Sequence, residues 1–241
     1  MLMEILYISL LTLVAAAIGT ITGFGTSTLM IPILAIFFSP VEAIFLVAII
    51  HWFGNIWKVM LFRSGFNLSL FMLFGVVGLA TSYLGAYISL GANEQILLRL
   101  LGVFLAGYSI FLMSQFKFKI PAGNITALSG GALSGFFAGM FGMGGAIRSI
   151  FLTAFDLPKT LYIVTAGAIG LLIDSTRIIT YFIGGTTLPR ELWYGLLLFI
   201  PVSFIGAQIA KKIVDKIPQD QFRTIIAIFL FLIGLKLIVW P

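Results

Sequence analysis

"GFFAGMFGMGGAIRSIFL", Gly135 to Leu152, sets an arginine inside an almost wholly apolar stretch and places five glycines ahead of it. An apolar run normally excludes a guanidinium, and each glycine inside a helix costs roughly 1 kcal/mol relative to alanine. Both features make sense together in a membrane. There, glycines let helices approach closely or break, and a buried charge marks a site.

The composition supplies that environment. Of the 241 residues 61% are hydrophobic and 9% charged, and the mean hydropathy is +1.17. Soluble domains carry roughly a quarter charged residues, so this chain cannot present a polar face to water on all sides. Several of its apolar runs reach the roughly 20 residues that a helix needs to cross a bilayer. The sequence therefore predicts an all-α polytopic membrane protein embedded in a lipid bilayer. The N-terminal run "MLMEILYISLLTLVAAAIGTITGFG" has Glu4 as its sole charge and no basic start, so it reads as a retained first span rather than a signal peptide. With no cysteine and one histidine, thiolate metal sites and disulfide chemistry do not arise, and no cofactor is expected. The formal charge of +6 lies in short loops with no basic tail, which orients a membrane protein and does not suggest nucleic acid.

Outward from the quoted stretch, the apolar segments fall into two series. The first is Ile5–Thr22, a short Thr26–Phe38, Ala43–Phe62, Leu68–Leu90 and Ile96–Met113. The second is Ile125–Phe141, a short Gly145–Phe155, Thr160–Ile183, Leu192–Ala210 and Phe222–Val239. The shared order predicts two homologous repeats, 1–114 and 124–241, joined by a loop at 115–123. Residue matches agree. "GFG" at Gly23 parallels "MFG" at Met140, and an offset of 119 relates Asn55 to Asp174, Lys58 to Arg177 and Gly65 to Gly184.

Loop charges give the orientation. If each short run carries the chain back across, Lys58, Arg63, Lys117, Lys119, Lys159, Lys211, Lys212, Lys216 and Arg223 share one side. Glu4, Glu42, Glu94, Glu191, Arg99 and Arg190 then share the other. That asymmetry is the one expected of a cytoplasmic face, and it predicts inverted-topology repeats with both termini on the far side.

The short segments, about 20 and 16 Å long as helices, cannot span a roughly 30 Å core alone. Each follows a glycine cluster, so each repeat is expected to hold a Gly-broken short helix. Paired interruptions of this kind are the usual sequence pointer to a transporter's midplane site, and a helix that starts at a break offers free N–H groups to an anion. Candidate ligands there are Gly23, Gly25, Thr26 and Ser27 in the first repeat, and Gly142, Gly144, Gly145 and Ser149 in the second. Gly131, Gly135 and Gly139, four apart, read instead as a helix-packing face.

The intramembrane charges add to this. Arg148 is a candidate anion ligand or else a partner of Asp174. Asp174 and Arg177 share a helix face: they either pair, or Asp174 carries a coupling proton while Arg177 holds substrate. Asn55 and Lys58 occupy the equivalent places in the first repeat, although Lys58 lies near enough to its helix end to reach the interface. His51 is either a neutral core histidine bonded to backbone or a pH-sensitive relay, and a coupling proton would ride on Asp174 or His51. Trp52, Trp57, Trp193 and Trp240 read as interfacial anchors.

The pair "GTITGFGTSTLMIPIL" and "GFFAGMFGMGGAIRSIFL", with "LGAYISLGANEQILLRLLGVFLAGYSIFL" and "IGAQIAKKIVDKIPQDQFRTIIAIFLFLIGLKLI" after them, resembles the TauE/SafE family over essentially the whole chain. The resemblance implies an inner-membrane secondary transporter of small sulfur-containing anions: sulfite, sulfoacetate or related sulfonates. It carries over by position to Gly23, Gly25, Gly142, Gly144 and Gly145. Arg148 stands where the family pattern leads one to expect an aliphatic residue. An anion channel or a non-transporting membrane scaffold are the competing functions. An enzyme is disfavoured, since no nucleophile–base set or metal cluster is visible.

Overall fold

A computed structural model describes residues 2–22, 25–63, 65–114, 120–213 and 219–241, the side chains of 2, 22 and 219–223 excepted. The described residues form α-helices joined by short connections: α1 (Leu2–Thr22), α2 (Ser27–Leu34), α3 (Pro40–Phe62), α4 (Leu68–Gly91), α5 (Glu94–Met113), α6 (Asn124–Phe141), α7 (Gly144–Leu152), α8 (Lys159–Ile183), α9 (Arg190–Ile213) and α10 (Gln219–Val239). A single 3₁₀ turn, Thr153–Phe155, extends α7. Among the described residues six helices, α1, α3, α4, α5, α8 and α9, are long and apolar enough to cross a membrane. Large apolar side chains such as Tyr7, Leu68, Ile183 and Leu197 point outward, as lipid-facing residues do. The protein is a multi-pass membrane protein.

Local chemistry sets the boundaries. Ser39 accepts a hydrogen bond from the Glu42 amide and Pro40 follows at the first helical position, which starts α3. Asn67 and Asn93 cap α4 and α5 in the same way. α6 stops at Gly142, whose φ of 70° is left-handed, and there the amides of Gly142 and Met143 take the carbonyls of Ala138 and Phe137.

Which residues touch tells which way the helices run. α3 and α8 are antiparallel: His51 meets Asp174, Lys58 faces Gly167, and Asn67 just beyond α3 bonds Thr165. α3 is parallel to α9, for Phe45 packs on Trp193, Trp57 bonds Ser203 and Lys211 reaches the Leu61 carbonyl. α1 is parallel to α9 as well, with Gly206 against Leu13 and Ala16, and Ile21 beside Ala210. On the other side α4 runs parallel to α8, where Gly75 faces Leu172, Ser82 bonds the Ile173 carbonyl and Gly184 faces Leu90. α6 is parallel to α4. Added methyls at Gly131, Gly135 and Gly139 would strike the backbone of Phe74, Gly78 and Ser82, so these three glycines are packing residues. α5 and α10 cross antiparallel through Gly102 and Gly234.

It follows that α1 and α3 run in the same direction, as do α6 and α8, and that α2 and α7 lie on the return strokes. Arg63, Lys159, Lys211 and Lys212 gather at one end of the bundle, while Glu4, Glu42, Glu94 and Glu191 gather at the other with Arg99, Arg190 and Lys236. Lys117, Lys119 and Lys216, and the side chain of Arg223, lie outside the described residues.

Two expectations need correction. Lys58 does not extend to the interface: it is buried and donates to Asn55 Oδ1, one turn back on α3, at 3.1 Å. Trp52 and Trp57 are not simple interface anchors. Their indole N–H groups bond Ser175 and Ser203 across helix–helix contacts at 2.9 and 3.1 Å.

Candidate functional site

The antiparallel seam of α3 and α8 holds the polar centre of the molecule. On α3 the residues 51, 55 and 58 recur at helical spacing and face one way; on α8, Gly170, Asp174 and Arg177 do the same. The Asp174 carboxylate is the hub. Its Oδ2 accepts from His51 Nδ1 at 2.7 Å and from Asn55 Nδ2 at 2.9 Å, and its Oδ1 accepts from Arg177 Nε at 2.9 Å. A carboxylate oxygen can only accept, so His51 carries its proton on Nδ1. Thus His51 bonds a side chain rather than backbone, and Asp174 and Arg177 are an ion pair within one helix face.

The two short helices deliver their starts to this hub. Gly25, at φ 85°, lies against the free Nε2 of His51, which a β-carbon there would approach to 2.8 Å. Gly142, at φ 70°, lies against Arg177 Nη1, where a β-carbon would come to 2.7 Å. Only glycine gives both the left-handed backbone and the clearance at these two positions. His51 Nε2, Arg177 Nη1 and the hydroxyl of Ser27, at the first turn of α2, are buried without a hydrogen-bond partner. Thr26 stands just before α2, opposite Gly54 of α3.

One turn along α7, Arg148 enters the same interior. It is 4% exposed, its Nε has no partner, and it forms no ion pair with Asp174. Its Nη2 and the Asn55 amide press on Gly170, where an added methyl would lie 3.1 Å from the first and 2.5 Å from the second. Lys58 and Arg148, together with Gly19, Thr20, Tyr162, Ile163 and Ala166, enclose a cavity of about 10 Å³, the scale of a single water.

The charge balance is one-sided. Lys58, Arg148 and Arg177 are buried cations, and Asp174 is the buried carboxylate among the described residues. With His51 neutral this leaves a formal excess of two positive charges in the membrane interior. A single ionised side chain at such depth costs at least about 2.5 kcal/mol, so an uncompensated pair persists only where something else supplies the negative charge.

Of the residues singled out from the sequence, His51, Asn55, Lys58, Arg148, Asp174 and Arg177 converge, and Gly25 and Gly142 line them. Gly144 packs on Ser134 and Ala138 of α6. Ser149 spends its hydroxyl proton on the Ala146 carbonyl at 2.7 Å. Gly145 is buried in the first turn of α7. Gly23 lies outside the described residues. Sequence reasoning missed Thr20, Tyr162 and Gly170. Gly170 was recoverable, being four residues before Asp174 on the same helix face; Tyr162 and Thr20 carry no local signal. Gly170→Ala is expected to push Asn55 off Asp174 and destabilise the solubilised protein by about 1–3 kcal/mol. A thermal melt in detergent measures it, and an unchanged midpoint would contradict the packing.

A family model described as Sulfite exporter TauE/SafE matches residues 8–237. No curated protein and no solved structure matches the chain.

Proposed function

Because the chain belongs to the sulfite exporter TauE/SafE family, a family of membrane transporters, we propose that it is a secondary carrier of a small sulfur-containing anion such as sulfite, sulfoacetate or a related sulfonate. It would work in the inner membrane. The observation that carries this reading is the buried excess of cations at the α3–α8 seam, where α2 and α7 begin. Arg148, Lys58 and Arg177 are the proposed charge partners of the anion. Ser27, Thr26 and the free amides at the starts of α2 and α7, among them Gly144 and Gly145, would complete the oxyanion shell. Ser149 would have to release the Ala146 carbonyl before it could donate to the anion. Gly25 and Gly142 give the passage its close backbone approach, and Gly23 is proposed as a ligand from its place in the sequence motif alone.

A cavity of about 10 Å³ beside Lys58 and Arg148 is too small for a sulfur oxyanion, so helices must separate before one enters. That favours a carrier over an open channel. Coupling, where it occurs, falls to the His51–Asp174 pair. Asp174 is held as an anion by three donors, so the proton would be taken up at His51 Nε2.

Two inverted repeats, 1–114 and 124–241, are part of the same reading. Exchanging α1–α5 for α6–α10 maps the packing onto itself: α4 on α6 becomes α9 on α1, α3 on α9 becomes α8 on α4, and α3–α8 and α5–α10 map to themselves. Lys58 bonds Asn55 as Arg177 bonds Asp174, each three residues apart. The antiparallel run of equivalent helices α3 and α8 supports a two-fold axis in the membrane plane.

The test is reconstitution. Purified protein in proteoliposomes should move sulfite, sulfoacetate or thiosulfate, and Arg148→Ala combined with Arg177→Ala should stop it. Unitary currents of many ions per opening would identify a channel instead. Absence of flux from well-folded wild type with all three anions would point to a scaffold.

A further inference from the structure

Resting on that carrier reading, we infer that the site is matched to a compact oxyanion carrying two negative charges, such as fully ionised sulfite or thiosulfate, in preference to a singly charged sulfonate. Three observations converge.

The first is the charge count. Lys58, Arg148 and Arg177 face one buried carboxylate, and the remaining described carboxylates, such as Glu42, Glu94 and Glu191, stand at helix ends. A monoanion would leave one cation uncompensated in the membrane interior, whereas a dianion leaves none.

The second is the hydrogen-bonding capacity of the lining. Lysine and arginine heads have donors and no acceptors. Asn55 Oδ1 receives Lys58, and both Asp174 oxygens receive donors, so donors outnumber open acceptors along this lining. Tyr162 and Thr20, which help to line the cavity, carry hydroxyls that can donate to an anion as well. A fully ionised oxyanion has acceptors alone, which is what a lining dominated by donors can satisfy.

The third is compactness. Arg148 Nη2 and Asn55 Nδ2 both press on Gly170, at 3.1 and 2.5 Å from where its β-carbon would stand, and Arg148 and Lys58 line one cavity of about 10 Å³. The unpaired charges therefore bear on one small volume. Both negative charges must sit on one such body rather than at two distant ends of an extended molecule.

The experiment compares thiosulfate with methanesulfonate, whose charges are fixed near neutral pH. Flux of each is measured into proteoliposomes holding the wild-type protein, with sulfite alongside. Thiosulfate is expected to exceed methanesulfonate by about fifty-fold or more, the factor that one uncompensated buried charge corresponds to. Lys58→Gln, which removes one charge, should narrow that ratio toward parity. In detergent, thiosulfate should raise the wild-type melting temperature and methanesulfonate should not, a readout independent of the variant's folding. Equal flux and equal thermal protection by the two anions would overturn the inference and leave the carrier reading standing. Folded protein that moves none of the three anions would overturn the carrier reading itself.

Discussion

Replacing Arg148 with methionine should abolish anion flux and at the same time make the ligand-free protein more stable. The two effects have one cause. Arg148 is buried, has no ion-pair partner among the described residues and leaves Nε without an acceptor, so in the absence of an anion it is a desolvated charge with little to offset it. Exchanging buried charged groups for apolar ones of similar volume is often stabilising by about 1–4 kcal/mol. In a chain of this size each kcal/mol moves the melting temperature by about 2–4 °C. Flux should fall about a hundredfold or more, because two charge-assisted hydrogen bonds of about 1.5–3 kcal/mol each are lost. Parallel melting curves in detergent and sulfite uptake in proteoliposomes read both. A variant that melts lower than wild type would mean that Arg148 is held by the protein rather than kept for a passenger.

Asp174→Ala should have the opposite signature, loss of the folded protein itself. The carboxylate collects His51, Asn55 and Arg177. Without it three cations remain buried with no anion among them. Breaking a buried pair by deleting one partner costs about 3–5 kcal/mol, a large share of the 5–15 kcal/mol that holds a typical fold. The expected result is aggregation on size-exclusion chromatography, or a melting temperature many degrees below wild type. Asp174→Ala combined with Arg177→Met should recover much of the loss, since the stranded charge goes with its partner. Failure of the double variant to recover would show that the hub matters for its shape rather than its charge.

Much of this architecture was legible in the chain because membrane segments announce themselves one at a time. The apolar runs became α1 to α10 with end shifts of a few residues, since charges, prolines and the caps Ser39, Asn67 and Asn93 mark where helices start. The cluster was legible for a different reason: an ionisable residue in an apolar run has few explanations, and Arg148, Asp174 and Arg177 stood out at once. Side-chain reach was not legible. Lys58 is close enough to its helix end to reach water, and only the position of Asn55 across from Asp174 explains why it turns inward. Trp52 and Trp57 found serine partners on neighbouring helices, a matter of which helix faces which, and that is set by glycine contacts far away in sequence. Tyr162 joins the cavity from the first turn of α8 for the same reason.

The glycine faces that seat α6 on α4 and α9 on α1 each join a segment of one half of the polypeptide to a segment of the other. A cut in the central connection would therefore yield two fragments, each with bare, notched surfaces shaped for the other. Neither piece is expected to stand by itself, and co-production should be needed to recover a well-behaved particle in detergent. On the proposed carrier reading, the bodies that would shift against each other are braids of both halves, α1, α3 and α9 against α4, α6 and α8, meeting along the charged α3–α8 seam.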